Sequence, residues 1–462
     1  MNRNDVLELL YKKYIEPTKK NRDLFAGIEI ELPVINLDKK PVDFTLVQDV
    51  TQQFKDRFGF YKAVIDENKE TQSLVNFQND DILSYDCSYN NLELSLGKEA
   101  DIGVAHKRFT EYYEFLEGAL GVKNHTLTGL GINPYRKYNN LVPIPNGRYR
   151  MLFHHLQTYE KYRPRVPMFF HPYPAYGMFS SASQVQLDVQ EDKLIDTIKA
   201  FSLLEPLKAV LFSNSVLTEE HEEFICYRDM FWENSTHGIN PHNIGMFDAL
   251  PESIDELIEY IASTSIYCTE QDSKYINFEP INIVEYFAKE QVTGEYYCGG
   301  EYKDITFVPK VQDLAYLRSF KFEDLTFRGT IEFRSVCCQP IRDEWTVSAF
   351  HLGLINKVSE VNELLSNDRV LYHRGYTATE LRRLLNLRKW PEFVDFPALT
   401  KLLLQVLKIA ESGLRERGLG EDVYLAPLFS RAERLTNPAR ELLANLENGV
   451  TIETIIEDYA KL

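Results

Sequence analysis

No stretch of this 462-residue chain reaches the roughly 18 consecutive apolar residues that cross a bilayer as a helix. The opening residues, Met1-Asn2-Arg3-Asn4-Asp5, run into a polar helical pattern in place of an apolar signal core. A cytoplasmic protein is therefore expected, neither secreted nor membrane-spanning. Cysteine is sparse and scattered: Cys87, Cys226, Cys268, Cys298, Cys337 and Cys338 contain no C-x-x-C pair, so no disulfide framework is expected and the thiols are read as reduced. Basic charge is in deficit, 51 Lys and Arg against 69 Asp and Glu for a net −18. That balance excludes nucleic acid as a partner, because binding its phosphates needs a concentrated basic surface. Internal repeats, low-complexity tracts and Pro/Ser-rich linkers are missing as well.

What the chain does have is 44% hydrophobic residues, enough at this length for one large or two ordinary domains held by burial alone. Apolar spacing predicts helices over 5–16, 101–120, 192–213 and 251–264, the last opened by Pro251-Glu252-Ser253. Alternation predicts strands at Leu24 to Asn36, Asn91 to Leu96, Ser183 to Val189 and Gly329 to Val336, and a strand pair near 127–133. The region 267–312 is aromatic, with short strand-like pieces. After Trp345 nearly everything reads as helix, including the apolar run Leu399 to Ala410 and closing helices near 437–447 and 451–461. The expected organisation is a mixed core over 1–345 with a helical part, 346–462, packed onto it.

Four strand-borne elements could carry chemistry. Glu29-Ile30-Glu31 projects two carboxylates from one strand face, about 7 Å apart, where they repel unless a cation lies between them. A lone E-x-E is ordinarily a solvated face; the apolar density around this one argues otherwise. Asp86 and Glu93 flank a Cys-Ser-Tyr-Asn-Asn turn, ordinarily just a polar loop. In Gln184-Val185-Gln186-Leu187-Asp188 the polar residues share a face and offer oxygens suited to a hard cation such as Mg²⁺, or simply meet water. In Glu332-Phe333-Arg334 the acid and base share a face, as a plain salt bridge would or as a metal ligand beside a phosphate-binding guanidinium. Cys337-Cys338 is read as small buried side chains. His154-His155 sits on a helical segment, where adjacent residues diverge.

These four elements, in this order, resemble the glutamate–cysteine ligases of the glutamine synthetase superfamily, in particular the plant and proteobacterial branch. The resemblance extends to Met178 through Asp188, Leu211-Phe212-Ser213-Asn214-Ser215, Gly131-Ile132-Asn133-Pro134-Tyr135, Arg148-Tyr149-Arg150-Met151 and Tyr227-Arg228-Asp229-Met230-Phe231-Trp232. Together these span roughly residues 25–345. One departure follows Arg334, where Ser-Val-Cys-Cys-Gln-Pro stands in place of a small, Gly-rich continuation. The resemblance implies an α+β, glutamine-synthetase-like fold: a curved, mainly antiparallel sheet forming an active-site funnel, surrounded by helices, with a helical C-terminal part.

It also implies a reaction. ATP would phosphorylate the glutamate γ-carboxylate, and the cysteine amine would then displace phosphate from γ-glutamyl phosphate, the first step of glutathione synthesis. Two or three Mg²⁺ would be held by Glu29, Glu31, Asp86, Glu93, Gln184 and Glu332. Arg334 would meet the transferred phosphoryl group, Arg228 phosphate or a substrate carboxylate, and Gln186 substrate. Glutamate, cysteine and ATP are the expected partners, met by a monomer or homodimer. Two alternatives stand beside this reading: a carboxylate–amine ligase of the same fold with another acceptor, and a non-catalytic nucleotide- or amino-acid-binding protein.

Overall fold

The computed structural model describes residues 1–218 and 223–462. Its centre is an open nine-stranded sheet in which every pairing is antiparallel. The strands are β1 (Ala26–Asn36), β2 (Tyr61–Ile65), β3 (Thr71–Val75), β4 (Ile82–Tyr85), β5 (Asn91–Glu99), β6 (His125–Leu127), β7 (Ser183–Asp188), β8 (Glu323–Leu325) and β9 (Thr330–Phe333). Across the sheet they run β8-β9-β7-β1-β5-β4-β3-β2, with β6 pairing the far end of β1. A second sheet of four strands, Ser265–Gln271, Lys274–Asn282, Val292–Cys298 and Glu301–Phe307, occupies the aromatic region 267–312.

The helices that matter for the site are α1 (Ile102–Gly121), α2 (Glu191–Phe212), α3 (Tyr227–Glu233), α4 (Trp345–Ile355), α5 (Ala378–Leu385) and α6 (Phe396–Arg417). Their ends follow local chemistry. Asp101 caps α1 by accepting from the Gly103 amide, Thr377 and Glu380 close a reciprocal capping box on α5, and left-handed Gly418 ends α6. Every residue of α4 is buried, because it packs on β7 and β1 on one side and on α6 on the other. One hydrophobic core runs from Val6 through the rear of the sheet to Ala432.

Two expectations are corrected. The pattern over 5–16 is α-helical only at Arg3–Leu10; it widens to a π-type turn at Tyr11–Ile15 and tightens at Glu16–Lys19, where Pro17 stops it. The strand pair near 127–133 is only β6 and a single bridge, Ile132 to Ser180. There Gly129 and Gly131 lie so close to the backbones of Gln339 and Asn214 that neighbouring chain, not a hairpin partner, takes their hydrogen bonds.

Candidate active site

Strand alternation delivers the singled-out side chains to one face of the sheet. The rear face is taken by buried Ile28, Ile30 and Leu32 in β1, Leu92, Leu94 and Leu96 in β5, Val185 and Leu187 in β7, and Ile331 and Phe333 in β9. Glu29, Glu31, Glu93, Gln184, Gln186 and Glu332 alternate with them and so face forward. Register then sets their neighbours. Glu31 lies opposite Glu93, Glu29 opposite Gln184, and Glu332 between Gln186 and Asp324.

In front of this face is a cavity of about 500 Å³. Glu31, Asp86, Gln184, Arg228, Glu332 and Arg334 line it; Glu29, Glu93 and Gln186 lie in the same face without forming its wall. Asp188 is drawn away into an ion pair with Arg22 at 3.0 Å. Arg148 and Trp232, which the sequence offered only within matched segments, stand in the wall as well, and parts of it were not singled out from the sequence at all: Asp324, Arg318 and Arg328, Phe320, whose ring lies 4.5 Å from that of Trp232, and the pair Tyr14–Phe327 at 4.7 Å. The only sequence signal for the first of these is Arg328-Gly329. Gly329, at φ +79°, closes the turn that folds β8 back onto β9 and so sets Asp324 across from Glu332.

Amide and guanidinium donors currently hold the acids apart. Glu31 accepts from the Ala182 amide at 2.7 Å and from Gln184 Nε2 at 3.0 Å. Gln186 Nε2 bridges Glu29 and Glu332 at 2.9 and 3.2 Å, and its own oxygen accepts from Arg328 at 2.5 Å. Glu93 accepts from Ser95 at 2.7 Å and Ser84 at 3.2 Å. Arg334 pairs with Glu332 at 2.7 Å.

Burial and mutual repulsion raise the carboxyls. Burial first, then Glu332 and Glu93, push Glu29 up to about 8. Burial and Asp86 push Glu93 to about 7 and help raise Glu31 well above the usual range, and Asp86 is itself raised by burial. Asp324 reaches about 7 through burial. Burial alone would lower Arg334, but Glu332, Asp324 and Glu29 around it win and raise it.

The forward face is thus crowded with buried acids. As the side chains stand, no three Asp, Glu, His or Cys among the described residues are grouped tightly enough to share one ion. The donor set nevertheless suits a hard, oxygen-liganded cation. It is carboxylate-rich, burial raises Glu29, Glu31, Asp86 and Glu93 with neighbouring acids adding to it at most of them, and buried Gln184 Oε1 has no hydrogen-bond partner. Rotating the Gln184 or Gln186 amide exchanges a donor for an acceptor, which is what a cation in place of the present hydrogen bonds requires.

Arg228 lines the cavity, and Cys226 and Cys337 lie close to it without forming the wall. The Arg228 guanidinium donates to the Ser335 and Val336 carbonyls at 3.5 and 3.1 Å. Cys337 and Cys338 are buried, and the Cys337 sulfur lies 3.7 Å from that of Cys226. Burial would raise the Cys337 thiol, but the Cys226 contact and Arg228 outweigh it and bring it down to about 6. The two neighbouring histidines do diverge: His154 meets Glu295 and stacks on Tyr302, whereas His155 stacks on Tyr267.

No curated protein sequence matches the chain. Among solved structures it is similar to a glutamate–cysteine ligase (GshA) from Francisella tularensis in complex with AMP, with a TM-score of 0.53 and 10% identity over 96% of this chain and 88% of that one. It also aligns with a bifunctional glutathione synthetase from Pasteurella multocida, with a TM-score of 0.45 and 13% identity over 99% of this chain and 52% of that one. The first of these likenesses establishes the fold, a mixed helix and antiparallel-sheet ligase architecture with a helical C-terminus. The pattern of glutamate–cysteine ligase family 2 (GCS2) matches residues 84–460, most of the length, and the chain belongs to that family.

Proposed function

We propose that this protein joins the γ-carboxylate of glutamate to the amine of cysteine, using ATP to form γ-glutamyl phosphate on the way. The observation that carries this reading is the forward face of the sheet. Glu31, Asp86, Glu332 and a buried, unpartnered amide oxygen converge beside Arg334 on one cavity, and burial and neighbouring acids raise the Glu29 and Glu93 carboxyls in the same face. A carboxylate does not condense with an amine in water because its leaving group is poor, so activation by phosphate and then displacement is the chemistry such a site suits. The protein's share is positioning and charge stabilisation.

In this reading Glu29, Glu31, Asp86, Glu93, Gln184 and Glu332 hold Mg²⁺. When bound, that ion supplies neutralisation of the phosphate oxygens and a template for the transferred group. Arg334 offsets charge on the phosphoryl group during transfer, Arg228 binds phosphate or a substrate carboxylate, and Gln186 contacts substrate. Glu332 has a second task, since its ion pair holds the Arg334 guanidinium at the cavity wall.

A second acceptor remains a specific alternative, motivated by the segment after Arg334. Ser335 to Pro340 departs from the family's small, Gly-rich run and lies against Arg228 and Cys226. Phosphate release is therefore measured with ATP, glutamate and a panel of cysteine, 2-aminobutyrate, alanine and simple amines, with and without Mg²⁺. Mg²⁺-dependent release, greatest with cysteine or its isostere 2-aminobutyrate, is the expected result. Release with another acceptor keeps the ligase and moves the substrate, and silence throughout overturns the reading.

A further inference from the structure

The helical C-terminal part contributes no residue to the cavity wall, yet one of its side chains touches both arginine-bearing segments that flank it. Arg382, on α5, is buried and uses all three guanidinium nitrogens. Nε and one terminal nitrogen grip the Asp229 carboxylate at 2.7 and 3.0 Å. The other terminal nitrogen donates to the Glu205 carboxylate at 2.6 Å and to the Glu205 carbonyl at 3.0 Å. A longer contact, 3.4 Å, reaches the Ser335 carbonyl.

Asp229 follows Arg228 on α3 and lines the cavity, and Ser335 follows Arg334 directly after β9. Glu205, on α2, closes the circuit by accepting from the Ser335 hydroxyl at 2.9 Å and pairing with Lys208 at 2.5 Å. Asn386, just beyond α5, adds a donor to Asp229 at 2.5 Å. Two buried acids thus face two buried cations. Burial would raise the Glu205 carboxyl, but Lys208 and Arg382 outweigh it and bring it down to about 2. The Ser335 carbonyl is the meeting point, because Arg228 also donates to it.

Resting on the ligase reading above, we propose that Arg382 is a positioning residue, whose planar fork fixes the Arg228 and Arg334 segments relative to each other so that both guanidinia face the same reacting group. The fork is essential to this. A lysine at 382 would keep the charge but could not grip Asp229 bidentately while also reaching Glu205.

The test is a cycle of R228K, R382K and the double variant, with phosphate release measured under saturating MgATP and glutamate and melting recorded for each. R382K is expected to lose turnover on the order of tenfold to a hundredfold, the scale of a small misplacement at the chemistry. The double variant is expected to fall no further than about threefold below R228K alone, because both changes disable the same element. Losses that multiply, or an R382K turnover within about twofold of wild type, would overturn the proposal, since a merely structural defect adds to others independently.

Should R382K not fold, N386A removes the outer donor to Asp229, and with it the oxygen that accepts from the Ser213 hydroxyl at 3.2 Å, and is held to the same standard with a smaller loss. Hydrogen exchange of R382K or N386A separates this proposal from the ligase reading. Faster exchange in 227–233 and 330–338, with the sheet at 265–307 unchanged, supports the strut even if the wild type turns over no substrate. Unchanged exchange in both segments rejects it.

Discussion

Glu29 illustrates what a single side chain on the forward face implies for pH and metal. Its carboxyl sits near 8 and that of Glu93 near 7, against an ordinary 4.5, because each is buried beside other acids. A pKa raised on folding means the fold favours the protonated form. The stabilisation this gives is complete below about 4.5 and is lost as pH rises through 7 to 8. The metal-free protein is therefore expected to have a lower urea midpoint at pH 8 than at pH 5.5. Mg²⁺ should recover the difference at pH 8, because a cation supplies the missing counter-charge. E29Q should flatten the pH dependence and leave the fold intact while lowering turnover by about a hundredfold or more, on the scale of losing one preorganised charge contact. A midpoint independent of both pH and Mg²⁺, or an E29Q variant that unfolds, would assign Glu29 a structural role.

Among the elements, the site-bearing strands were the most legible in the sequence. Each alternates acid or amide against Ile, Leu, Val or Phe, so both the strand and its buried face could be read from periodicity. The opposite wall was not legible. Arg318 and Phe320 are set in place by a two-residue parallel pairing of Phe320–Lys321 with Ile244–Gly245, which leaves no local pattern. β2 was missed because all five of its residues are exposed, so it shows no apolar alternation. The contact between α4 and α6 was equally hidden, since it depends on two glycines far apart in sequence. A Cβ on Gly353 would strike the Ala410 backbone, and one on Gly413 would strike the Gly353 carbonyl. G353A and G413A should each push these helices apart and cost about 1–3 kcal/mol in chemical denaturation, as overpacking does. A cost near zero in both would show that the helices can slide without loss.

At the scale of the whole molecule, the question is whether residues 1–345 can stand without the helices that follow. The rear of the sheet argues against it. Phe333 packs between Phe201 and His351, and α4 covers β7 and β1, so the face behind Glu29, Gln184 and Glu332 is completed by residues beyond 345. The same hydrophobic cluster includes Ile28, Ile30, Val185, Leu187 and Ile331 together with Leu352, Leu403, Leu407 and Leu428. Removing the second group exposes the first to water, at a cost of about 25 cal/mol for each Å² of apolar surface uncovered, and most domains have only 5–15 kcal/mol in reserve. Arg382 adds a polar reason, because without it Asp229 and Glu205 are buried acids missing a main cation. A chain ending at residue 345 is therefore expected to keep much of its far-ultraviolet signal, lose near-ultraviolet structure and bind a hydrophobic dye, the signs of a compact state without fixed packing. A truncated chain that melts cooperatively with native near-ultraviolet signal would instead show that the nine-stranded sheet carries its own core and that the helices are an addition to it.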